Sequence, residues 1–336
     1  MVWCLLAAAL FGASTPLAKS LLADIGPITL AGVLYLGAAL GVLPFSFRGG
    51  SPERRKQPRH FAFLAGAVVC GGIAGPVLLL MGLDRTPAAS AALWLNLETV
   101  ATAALAWAFF REHMGVRTGL AVVCVVAAGL LLAAPFDTGT LIGAGLIALA
   151  CVCWGLDNNF TALIDGYTPA QSTAIKGVVA GSVNLAVGLV LESSPPLASV
   201  GLALGVGTLA YGISIMLYIA SAHELGATRS QLLFASAPLW GAGMAWGVFS
   251  EAITAMQLVA VVPMAAGALL LLGGKHEHDH RHDAVTHTHS HRHDDGHHDH
   301  VHVGLPAWVR HTHEHAHDVV SHSHAHQPDL HHRHAH

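Results

Sequence analysis

The sequence predicts an all-α membrane protein with ten transmembrane helices, arranged as two inverted five-helix repeats and followed by a disordered tail. Three observations carry that expectation. Of the 336 residues, 53% are apolar and 11% charged, and the mean hydropathy is +0.55. A soluble domain carries about 25% charged residues, so a water-facing surface cannot be built from this supply. The apolar residues also fall into runs of about twenty, the length of a bilayer crossing. Finally, residues 275–336 hold 23 of the 26 histidines, nine acids and five Lys/Arg, whereas the remaining chain balances eleven acids with eleven bases. The formal charge of −4 therefore belongs to the tail. A soluble enzyme is excluded, nucleic acid is not an expected partner, and the lipid bilayer is.

Ten apolar runs justify the spans in order: 2–23, 27–47, 61–83, 86–110, 114–134, 139–164, 168–192, 198–221, 227–250 and 253–273. Turn chemistry falls between them, at Asp24-Ile25-Gly26-Pro27, Arg85-Thr86-Pro87, Pro135-Phe136-Asp137, Tyr167-Thr168-Pro169 and Ser194-Pro195-Pro196. The N-terminus lacks the basic start of a signal peptide and reads as the first span. With Trp3 already apolar, a start upstream of Met1 stays open. All five cysteines (Cys4, Cys70, Cys124, Cys151, Cys153) lie in apolar runs and read as small buried residues, with no disulfide framework.

Loop charge sets the expected orientation. With a cytoplasmic N-terminus, the inner loops contain Arg48, Arg54, Arg55, Lys56, Arg59, Arg111, Arg117 and Arg229, and the outer loops only Arg85. The positive-inside rule then places both termini in the cytoplasm of a cell (inner) membrane protein.

The body repeats itself. Glu112 in FREH follows ALAW, and Glu251 in FSE follows GMAW, 139 residues later. Phe11-Gly12 in the first span matches Trp154-Gly155 in the sixth. The expected units are a first five-helix repeat over 1–136, a second over 137–274 and a tail over 275–336. Because five is odd, the halves cross in opposite senses, a transporter architecture with its site near the midplane.

Over the whole body the residues resemble an EamA-type member of the drug/metabolite transporter superfamily. The resemblance rests on Trp154-Gly155, on SAALWLNLETVATAALAWAFFREH and on LGATRSQLLFASAPLWGAGMAWGVFSE, each of the latter two followed by a Gly/Ala/Leu-rich helix. It implies a ten-helix secondary carrier, often a metabolite exporter, and no enzyme. The chain departs from the family pattern at Phe11, where Trp is usual, and at Glu98, where the fourth helix usually carries Pro. Pro238 is retained in the ninth helix, while Leu34 and Tyr35 stand where a basic residue is common in the second.

Ionisable groups inside a bilayer cost about 2.5–3.5 kcal/mol or more and are functional suspects. Asn96 and Glu98 lie halfway along the fourth span, Asp157-Asn158-Asn159 in the sixth and Lys176 in the seventh. Asp157 and Lys176 sit at equal depth, about 10 and about 12 Å from one end, which makes them candidates for an ion pair. These six residues form the expected substrate pathway, with Glu98 as proton or cation carrier; a purely structural polar clamp is the competing reading. Trp154, Gly155, Glu112, Pro238 and Glu251 are read as structural family positions, the two glutamates as helix caps. GxxxG spacings at Gly37/Gly41, Gly177/Gly181, Gly201/Gly205 and Gly243/Gly247 predict close helix contacts. Pro16, Pro76, Pro238 and Pro263 are candidate helix breaks, and Lys19 is expected to snorkel.

The tail repeats His-x-His: His276/His278/His280/His282, His287/His289/His291/His293, His300/His302, His311/His313/His315/His317, His322/His324/His326 and His334/His336, with His297, His298, His331 and His332 beside them. In extended chain, alternate residues lie about 7 Å apart on one side, and imidazole suits Ni, Co, Zn and Cu(II). Transition-metal ions are therefore expected on the tail, while no cofactor is required. Three functions compete: an exporter of a divalent transition metal fed by the tail, a metabolite exporter whose tail senses or buffers metal, and a non-transporting metal store or sensor. A homodimer stays open as an assembly.

Overall fold

A computed structural model describes residues 1–47, 58–110, 116–132, 137–164, 167–225, 230, 233–272, 276–282, 285–291, 311–317 and 320–326. Within 1–272 the described elements are all helical. They are α1 (Val2–Leu21), α2 (Pro27–Ser46), α3 (Pro58–Ala67), α4 (Gly75–Asp84), α5 (Ala88–Trp94), α6 (Leu97–Phe110), α7 (Val116–Leu132), α8 (Thr138–Ala162), α9 (Pro169–Leu191), α10 (Leu197–Val206), α11 (Ser214–Leu225), α12 (Ala237–Gly247) and α13 (Ala255–Leu272). Two π-helical turns, Val68–Ala74 and Gly207–Ile213, join α3 to α4 and α10 to α11 without interrupting the rods. Among the described residues, seven helical segments are long and apolar enough to cross a membrane, and Val116–Leu132 and Ala255–Leu270 are shorter apolar helices.

Local chemistry starts these helices where the turn signals stand. Pro27 opens α2, its missing N–H being one that a helix start leaves unpaired anyway. In α9, the Gln171 N–H donates to Thr168 Oγ1 at 3.2 Å and the Thr168 N–H to Gln171 Oε1 at 3.0 Å. Thr254 and Gln257 repeat this reciprocal cap at 3.2 and 3.0 Å ahead of α13. Asp137 accepts the Thr140 N–H at 3.0 Å ahead of α8. The Thr140 hydroxyl and then its backbone N–H hold that exposed carboxyl below its ordinary range.

Glycine decides the packing. α2 lies along α9, where a side chain at Gly181 would meet the Leu36 N at 2.9 Å and one at Gly177 the Tyr35 carbonyl at 2.8 Å. Gly12 lets α1 approach the α12 backbone, with Gly241 N 2.9 Å from its absent Cβ. Gly155 does the same for α8 against α6, with Thr102 N at 2.9 Å. Gly37 and Gly41 face the second π-turn, at Gly207 and Gly212. The other two GxxxG expectations fail: Gly201, Gly205, Gly243 and Gly247 have nothing within 4 Å of a built Cβ. Spacing alone cannot say which face of an all-apolar helix meets a neighbour.

Lys19 finds a specific partner at the end of its reach. Its ammonium donates to the Leu83 and Asp84 carbonyls at 2.6 and 2.9 Å, closing the C-terminus of α4 where the helix dipole favours a cation. Pro16 and Pro263 sit within α1 and α13, whereas Pro76 and Pro238 fall in the first turns of α4 and α12.

The tail is described by itself. The expectation of disorder does not hold for β1 (His276–His282), β2 (Val285–His291), β3 (His311–His317) and β4 (Val320–His326). β1 pairs antiparallel with β4 and β2 with β3. The cause is in the pattern already noted: strict period-2 alternation with Thr and Val is strand chemistry. His293, His297, His298, His300, His302, His331, His332, His334 and His336 lie outside the described residues, as do Glu112 and the arginines at 48, 54, 55, 111 and 229.

Candidate functional site

The fourth span is two helices. α5 ends at Trp94 and α6 begins at Leu97, so Glu98 stands in the first turn of a new helix rather than halfway along one. The Asn96 side chain donates to the Leu93 carbonyl at 3.0 Å inside the break. A carboxylate in a first helical turn is stabilised by the unpaired N–H groups and dipole there. Glu98 Oε1 accepts from Asn158 Nδ2 at 2.9 Å, and the same amide reaches Thr102 Oγ1 at 3.1 Å. Thr102 in turn donates to the Glu98 carbonyl at 2.9 Å. Asn159 points elsewhere, to the Gly155 carbonyl at 2.8 Å and the Thr102 carbonyl at 3.1 Å, where it ties α8 to α6.

One turn of α8 also presents Asp157. Lys176 Nζ of α9 donates to its two oxygens at 2.9 and 2.8 Å, and Thr161 Oγ1 to Oδ1 at 2.9 Å. The pair is 17% and 10% exposed, so it is largely withdrawn from surroundings that could screen it. The carboxylate occupies the face of Gly71, where any Cβ would overlap it.

Gly71 belongs to the first π-turn, and that explains the rest of the site. A π-turn shifts the backbone pairing by one residue and frees a carbonyl. The Gly71 carbonyl accepts from Tyr35 Oη at 2.5 Å and from Trp154 Nε1 at 3.0 Å. Asn184 Nδ2 donates to the carbonyls of Gly72 and Ile73 at 3.2 and 3.4 Å. α2, α8 and α9 thus converge on one irregular turn of a fourth rod.

The second π-turn lies 139 residues further on, and its surroundings differ. Phe11 stands where Trp154 stands in the other half, and it cannot donate a hydrogen bond. Its ring packs against Tyr211 at 5.7 Å and Phe234 at 5.4 Å. Tyr35 lies 6.4 Å from Tyr211, so an aromatic cluster adjoins the charged groups. The second helix break repeats the first in detail. Ser236 donates to the Leu233 carbonyl at 2.6 Å, as Asn96 does to Leu93, and Pro238 then occupies the place of Glu98.

Models of the EamA-like transporter family match the chain twice, over residues 1–134 and 141–273. The chain belongs to the EamA-like transporter family. As an EamA-like transporter it carries the family unit as two repeats, which the paired π-turns and paired helix breaks already mark. An uncharacterized transporter of Methanothermobacter thermautotrophicus is 27% identical over 282 residues, covering 78% of this chain and 82% of that protein. A protein of known crystal structure shares the fold at a TM-score of 0.58 and 16% identity, over 80% of this chain and 94% of its own.

The carboxylates at helix ends act as caps. Glu251 accepts the Ala88 and Ala89 N–H groups at 2.7 and 2.9 Å, closing the start of α5. Ser250, at φ 53°, turns the chain so that Glu251 can reach it. Sequence reasoning missed Glu192, which accepts the Ile28 and Thr29 N–H groups at 2.9 Å each and the Thr29 hydroxyl at 2.7 Å. It also missed Tyr35, Gly71, Thr102 and Asn184 as members of the site. The Gly71-Gly72 pair and a threonine four residues after Glu98 were the available signals.

Proposed function

We propose that this transporter is a secondary exporter of small solutes whose cargo passes Glu98, Asn158, Asp157 and Lys176, and that the cargo is a divalent transition metal collected by the tail. The observation that carries the carrier site is the Asp157–Lys176 pair set beside Glu98 at an irregular point of the helices. Charged groups and broken helices at membrane depth mark substrate paths in transporters of repeated design. The proposed body has ten spans in two halves of opposite sense, with both termini in the cytoplasm of the inner membrane. The 139-residue offset of the π-turns and the reciprocal crossings α1 on α12 and α8 on α6 support that reading. Metal as cargo rests on the histidine tail and on Glu98, whose protonation would be exchanged against cation binding as the halves rock.

A second reading, a metabolite exporter whose tail senses or buffers metal, has one observation in its favour. Among the described residues of the helical body, no group of three or more His, Cys, Asp or Glu is placed to hold a metal ion. Glu98, Asn158 and Thr102 would then offer an ion oxygen donors, less suited to transition metals than imidazole. Flux separates the readings. Inside-out vesicles containing the protein should accumulate radioactive nickel, cobalt or zinc, and an absence of metal flux would leave the metabolite exporter.

A further inference from the structure

The tail strands show a register that His-x-His spacing alone does not contain. In the first sheet His276 lies opposite His326, His278 opposite His324 and His280 opposite His322. In the second, His287 faces His315 in register, His289 His313 and His291 His311. Residues directly opposite in an antiparallel pair share a face, with Cα atoms about 4.5–5.5 Å apart. Neighbours two along a strand are about 7 Å apart. The six histidine pairs therefore form two ladders, each on one face of its sheet. The charged residues of the strands, Glu277, Asp279, Arg281 and Glu314, hold register positions that alternate with the histidine rows. The ladder positions are histidine except for Val320 opposite His282 and Val285 opposite His317.

We infer that the tail binds divalent first-row transition metals between strands, each ion held by a cross-strand histidine pair, in two ladders of nitrogen ligands rather than at independent His-x-His motifs. This rests on the tail's metal-binding role and is independent of what the helices carry. Two arguments favour the cross-strand pair. Its Cα separation is shorter than that along the strand, so both imidazoles reach one ion with less bending. The register also removes carboxylates from the ladder face, which selects nickel, copper or zinc over magnesium and calcium. An ion bridging two strands would add a bond to each sheet, because its ligands come from positions more than 19 residues apart in sequence.

The test keeps composition and His-x-His spacing while moving one row off the ladder. The full-length protein in detergent receives Ser321→His, His322→Ser, Ser323→His, His324→Ser, Ala325→His and His326→Ala together. Titration with nickel chloride is followed calorimetrically for wild type and variant. The expected result is a smaller number of bound ions and binding weaker by about tenfold, roughly 1.4 kcal/mol. The unaltered β2–β3 pairing opposes a compensating slip of register. Identical isotherms would overturn the cross-strand inference while leaving a metal-binding tail. No nickel binding by the wild type would instead remove the metal-binding role itself.

Discussion

Asp157 and Lys176 hold each other in a largely closed environment, and among the described residues neither charge has a second partner of opposite sign in reach of a hydrogen bond. Removing one partner of such a pair costs about 3–5 kcal/mol, because the other charge is left buried. Asp157→Asn should therefore lower the amount of folded protein in the membrane, and Asp157→Asn with Lys176→Met should recover it, as read by quantitative immunoblotting. Equal loss in the single and double variants would show that the pair is not the cause. Gly71→Ala should be as damaging as Asp157→Asn, since the added methyl enters the carboxylate's space. The meeting of Asp157 and Lys176 was legible from equal depth on successive spans. The Gly71-Gly72 pair was visible, but its role was not, because a π-turn changes backbone pairing without changing hydropathy.

At the scale of elements, helix starts are closed by carboxylates from distant helix ends. Glu192→Ala strips three hydrogen bonds from the start of α2. Hydrogen bonds to a charged group contribute about 1.5–3 kcal/mol, so this variant should melt at a lower temperature in detergent than wild type. Ser250→Gly should raise the melting temperature, because a left-handed residue with a Cβ costs about 1–2 kcal/mol and Ser250 is held there at φ 53°. A lower melting temperature would mean that the serine side chain outweighs its backbone strain. The run boundaries were readable from Pro, Gly and Asp in the loops. Partners such as Glu192 and Thr29, 163 residues apart, were not, since an acid at a helix end does not state which helix it will meet. Glu98 stood out in the sequence as a carboxylate inside an apolar run, but its setting in a fresh helical turn depended on a break between two leucines, Leu95 and Leu97, that hydropathy runs straight through.

The molecule as a whole is a duplicated helical body with a histidine extension. Duplication was visible in the sequence because Glu112/Glu251 and Phe11-Gly12/Trp154-Gly155 recur at nearly one offset. The two halves have since diverged where chemistry is proposed: Trp154 and Glu98 in one half correspond to Phe11 and Pro238 in the other. Reporter fusions after Arg59 and after Gly274 should both indicate cytoplasm, and an external signal at either would break the opposed-repeat account. The central claim, that this body exports metal past Glu98, is tested most directly in inside-out vesicles loaded in parallel with wild-type and Glu98→Gln protein. Wild type should accumulate radioactive nickel, cobalt or zinc, deletion of residues 276–336 should slow uptake without abolishing it, and Glu98→Gln should abolish it at equal protein content. Metal uptake by Glu98→Gln at the wild-type rate, or none by wild type, would contradict the account.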